Sequence, residues 1–167
     1  GIVEVESIID GSIINFYDAP RFKVKHTYMT ANEKLAEDGG YVEVATREKH
    51  LHVGCGCRIE AYCDGKQILG NRMTSVFGEQ NIEFGDIHVE EGKEVQIVKY
   101  VSMYSERECP TYELHSTIKK EIEGFVHTGF ENELKLHEEV YHNMWENADI
   151  KITGDDDLNR AVRFNIF

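Results

Sequence analysis

An antiparallel β-sandwich followed by a helical extension is the architecture that this 167-residue sequence predicts. Three observations carry the prediction. Apolar residues alternate with a period of two through the first two thirds of the chain, and tight turns rich in Asp and Gly punctuate that region. After Cys109-Pro110 the period lengthens to that of a helix. The hydrophobic fraction of 41% and charged fraction of 29% are those of a globular chain with room for one core of ordinary size.

Taken in order, the first strand candidates are Val3 to Ile9 and Ser12 to Phe16, parted by Asp10-Gly11. Phe22 to Thr30 follows the turn signal Asp18-Ala19-Pro20, and Tyr41 to Thr46 follows Asp38-Gly39-Gly40. The clearest alternation runs from Leu51 to Cys63. Leu51, Val53, Cys55, Cys57, Ile59, Ala61 and Cys63 share one face, and His52, Gly54, Gly56, Arg58, Glu60 and Tyr62 share the other. Asp64-Gly65 has the composition of a type I′ turn, whose two central residues need positive φ, so Lys66 to Leu69 is the expected returning strand. Thr74 to Phe77, Asn81 to Val89 and Val95 to Tyr104 complete the set, with Glu91-Gly92 between the last two. Strands following one another through tight turns, with no helix between them, indicate antiparallel sheets and not a parallel α/β core.

Beyond Pro110, Leu114, Ile118, Ile122 and Phe125 lie along one face of a helix that Gly124 weakens and Gly129 ends. A second helix is expected from about Phe130 to Glu146, with Phe130, Leu134, Tyr141, Met144 and Trp145 facing inward. Glu131, Glu133, Glu138 and Glu139 fall on its outer side. Asp149 to Thr153 reads as extended, and Asp155 or Asp156 as the N-cap of a third helix bearing Leu158, Ala161, Val162 and Ile166. The organisation is therefore a β-sandwich portion over 1–110, a helical connector over 111–154, and the opening of a further domain over 155–167. Both ends are expected to be cut from a longer chain: Gly1 opens in strand-like sequence without an initiator Met, and Phe167 ends a helix that carries no stop signal.

A formal charge of -13 argues against nucleic acid, whose phosphates require a concentrated basic surface. No signal peptide, bilayer-spanning run or basic amphipathic anchor is present in the sequence. The four cysteines lack the CxxC or HxxxH spacing of zinc sites. Cys55 and Cys57 are two residues apart on one strand, a poor geometry for a disulfide, so free buried thiols in a reducing cytoplasm are expected. A metal sensor built on Cys55, Cys57 and Cys63 ranks last. His50 and His52 should sit on a hydrogen-bonded sheet surface away from the cysteines. Glu138 with Glu139, Glu106 with Glu108, and the run Asp155-Asp156-Asp157 read as solvated faces or caps, because glycoside chemistry needs opposed carboxylates in a cleft. Tyr141 and Trp145, at helical spacing beside Leu134 and Met144, read as core. A stand-alone carbohydrate-binding module would need exposed aromatics on one sheet face, with Tyr62, Tyr100 and Tyr104 as the candidates.

Four segments, in order, resemble glycoside hydrolase family 65. Gly1 to Asn15 (GIVEVESIIDGSIIN) and Ala45 to Gly54 (ATREKHLHVG) are similar to strands of that family's N-terminal sandwich. Val140 to Ile152 (VYHNMWENADIKI) resembles its linker, and Asp157 to Phe167 (DLNRAVRFNIF) the first helix of its (α/α)₆ catalytic barrel. The resemblance implies part of a galactose mutarotase-like supersandwich with its first strands upstream of Gly1. The parent enzyme would act on an α-glucosidic disaccharide such as kojibiose, maltose, nigerose or trehalose. Inverting phosphorolysis would release β-glucose 1-phosphate, with inorganic phosphate as co-substrate and no other cofactor. The implied partners are the barrel of the same protein and a second copy in a homodimer. No position here matches the family's catalytic or phosphate-binding motifs, so no catalytic, cofactor-binding or metal residue is assigned.

Overall fold

A computed structural model describes residues 1–16, 23–36 and 38–166. Its strands are β1 (Ile2–Asp10), β2 (Asn15–Phe16), β3 (Lys23–Val24), β4 (Thr27–Lys34), β5 (Gly40–Thr46), β6 (His52–Cys63), β7 (Lys66–Gln67), β8 (Leu69–Phe77), β9 (Gln80–His88) and β10 (Gln96–Ser105). A 3₁₀ turn at Thr111–Glu113 leads into α1 (Leu114–Thr128), followed by α2 (Phe130–Ala148) and α3 (Asp156–Ile166). Phe22 and the turn expected at Asp18-Ala19-Pro20 lie outside the described residues.

Every pairing is antiparallel. One sheet has the order β1-β9-β8, the other β10-β6-β5-β4 with β7 on β6, and β2 pairs separately with β3. The Asp64-Gly65 turn has the expected positive φ at both residues, 50° and 73°. The return strand after it departs from expectation. Lys66 and Gln67 pair with β6 and the Ile68 N–H still donates to the Ala61 carbonyl at 2.8 Å; the chain then crosses to the other sheet as β8, where Leu69 stands opposite Ile87. Burial drives the crossing, since Leu69 packs with Ile59, Ala61 and Ile87 in the interior between the sheets.

The alternation of β6 sorts the molecule into layers. Its odd positions Cys57, Ile59 and Ala61 face the three-stranded sheet. Its even positions Gly54 and Gly56 face α1, where Ile118 and Ile122 join Leu35, Tyr41, Val98 and Tyr100 in a second core. A Cβ at Gly56 would lie 2.5 Å from Ile118 Cγ2, so the bare backbone is what lets the helix seat. Glu121 of α1 accepts hydrogen bonds from Ser102 and Tyr104 and ties the helix to β10.

The first compact unit runs from Gly1 to His127 and so includes nearly all of α1, which the sequence reading placed in the connector. The second unit begins at Thr128. Within it, the inward face expected for α2 is largely exposed: the helix buries no residue, Phe130, Leu134, Tyr141 and Met144 are exposed, and Trp145 is half-buried. Two helices of this size offer each other too little surface to bury so wide a stripe. Asp155 caps α3 by accepting a hydrogen bond from the Leu158 N–H at 2.9 Å. Asp149 to Thr153 forms no strand; Arg163 grips Asp149 with two nitrogens, at 2.8 and 2.5 Å, and Asn159 accepts from the Ile152 N–H.

Candidate functional site

Polar side chains gather at two places in the sandwich unit. On the α1 side of β5, the Glu43 carboxylate accepts from Tyr41 Oη at 2.7 Å and Thr30 Oγ1 at 2.8 Å, and bonds His52 Nδ1 at 2.7 Å. Burial pushes this carboxyl up, but the hydrogen bonds from His52, Tyr41 and Thr30 outweigh it and hold the group below its usual range. Burial pushes the Tyr41 phenol well up, and its bond to Glu43 adds to that. His50 bonds Tyr28 instead, so the two neighbouring histidines work separately. A His–Glu pair of this kind resembles a proton-transfer dyad, but neither residue lines the apolar cleft described below.

The second cluster closes the other end of β6. Arg72 reaches Glu83 at 3.0 Å, Glu60 at 3.1 Å and the Ile59 carbonyl at 2.8 Å, and Arg58 meets Glu60 at 2.7 Å. Glu60 and Glu83 are buried, and Glu83 also accepts the Ile59 N–H. Burial opposes the charge on Arg72, yet Glu83, Glu60 and Asp38 keep it firmly protonated. Gly39, at φ 92°, passes beneath the Cys57 carbonyl, where a Cβ would lie only 2.6 Å from that oxygen. Every member is held by another, as in a structural lock.

The carboxylates singled out from sequence are spread over separate elements. Glu106 accepts the His52 N–H, Glu108 accepts from Ser105, and Glu138 and Glu139 lie exposed on α2. Asp155 is the helix cap already described. All four cysteines are free; Cys57 is buried, whereas Cys55, Cys63 and Cys109 are half-buried, contrary to the expectation of burial for all. The aromatic patch is corrected outright. Tyr100 is buried, and Tyr62 and Tyr104 pack against the α1 core, so none of the three offers an open platform to a sugar.

What the unit does present is an apolar cleft of about 430 Å³. Ile9 and its β1 neighbours form one wall; Val44, Cys55, Lys99, Val101 and Met103 form the other. It is open because the sheets are offset. β1 ends its sheet and lies across β5 and β6, whereas β10 continues one strand further. The inner side chains of β10 are left uncovered, with Ile97, Val101 and Met103 exposed to 52%, 47% and 64%. Burial pushes the Cys55 and Cys57 thiols up, which makes them poor nucleophiles.

Such a unit has its buried carboxylates bonded to protein partners and an apolar face open. The family model for the N-terminal domain of glycosyl hydrolase family 65 matches residues 1–144, and the chain belongs to that family. Among its relatives, the kojibiose phosphorylase of Thermoanaerobacter brockii is 36% identical over 171 aligned residues. That alignment takes in 100% of this chain and 22% of the relative. The kojibiose phosphorylase of Caldanaerobacter subterraneus subsp. tengcongensis is 30% identical with the same coverage. The maltose phosphorylase of Bacillus subtilis is 29% identical over 56% of this chain and 13% of its own length. The chain thus spans about a fifth of the length of the first two relatives.

Sequence reasoning missed the Glu43 and Arg72 clusters. The one available signal was an acid inside an apolar strand, as in Tyr41-Val42-Glu43-Val44 and Ile82-Glu83-Phe84. Their partners lie mostly on neighbouring strands, and only the pairing register brings them together.

Proposed function

We propose that this chain is a non-catalytic portion of a longer glycoside phosphorylase acting on α-glucosidic disaccharides. The whole enzyme would use inorganic phosphate to release β-glucose 1-phosphate with inversion. This portion would support an (α/α)₆ catalytic barrel and contribute to a homodimer in the cytoplasm. One observation carries the reading: full-length alignment to phosphorylases over about a fifth of their length, on a unit whose buried carboxylates Glu43, Glu60 and Glu83 are committed to protein partners. Free thiols suit a reducing compartment.

The test is phosphate-dependent release of glucose 1-phosphate from kojibiose, maltose and trehalose. The 167-residue chain alone should release none, and a longer protein containing it should release it from at least one. Turnover by homogeneous 167-residue material would overturn the proposal and make Glu43 with His52 the first suspects.

A further inference from the structure

We draw no further inference here: the strongest candidate, the cleft between α2 and α3 lined by Trp145, Asp149, Lys151 and Arg163, carries nothing, because Asp149 and Arg163 are bonded to each other and nothing in the structure shows what covers it.

Discussion

Glu43 shows how one side chain couples three neighbouring strands. Thr30, Tyr41 and His52 belong to three successive strands of the five-stranded sheet, β4, β5 and β6, and all three converge on its carboxylate. Because the native carboxyl is held below its ordinary value of 4.5, the unfolded chain binds the proton more readily. The resulting stability is complete above that ordinary value and is lost as pH falls through the lowered native one. Glu43→Gln should cost about 1–2 kcal/mol at neutral pH, the usual cost of weakening a half-buried charged hydrogen-bond network. It should also flatten the acid limb of a pH series of urea denaturations. An unchanged slope below pH 4.5 would remove the carboxylate from the account of acid stability.

At the scale of elements, the contact between α1 and β6 decides whether the sandwich has a third layer. Gly54 and Gly56 form a flat floor, and Ile118 and Ile122 rest on it. Gly56→Val should force the helix outward and cost about 1–3 kcal/mol, as overpacking of a close contact does. Loss of the near-UV dichroism of Tyr41 and Tyr100 would report the shift. Gly124 lies in the same helix with open space where a Cβ would stand. Gly124→Ala should therefore stabilise by about 0.5–1 kcal/mol through the unfolded chain, since the added methyl meets no steric obstacle. Thermal melts of the two variants should move in opposite directions. Movement in the same direction would show that α1 does not dock as described.

For the whole molecule, the balance lies in surface left uncovered. In the first unit, the edge of β1 that pairs with no strand among the described residues and the inner stripe of β10 leave backbone groups and apolar side chains uncovered. The isolated chain should form dimers or larger species at micromolar concentration, measured by sedimentation velocity. A single sharp monomer boundary over that range would mean these faces are better tolerated than their chemistry implies.

The sequence by itself determined the local structure. Period-two alternation marked β6 almost residue for residue, Asp64-Gly65 announced its turn, and Leu114, Ile118 and Ile122 named the buried side of α1. Each of these is a short-range pattern, set by the geometry of one strand, turn or helix. Only the tertiary structure decided what each face meets. The pattern around Tyr62, Tyr100 and Tyr104 reads equally as an open aromatic patch or a floor for a helix, and α1 made it the floor. The apolar stripe on α2 was legible, but within the second unit the helix buries no residue. Lys66 to Leu69 looked like one returning strand until burial of Leu69 carried the chain across to the other sheet. Periodicity records that a side chain prefers to leave water; which surface receives it depends on strands paired at long range, and a single sequence carries no pattern for those pairings.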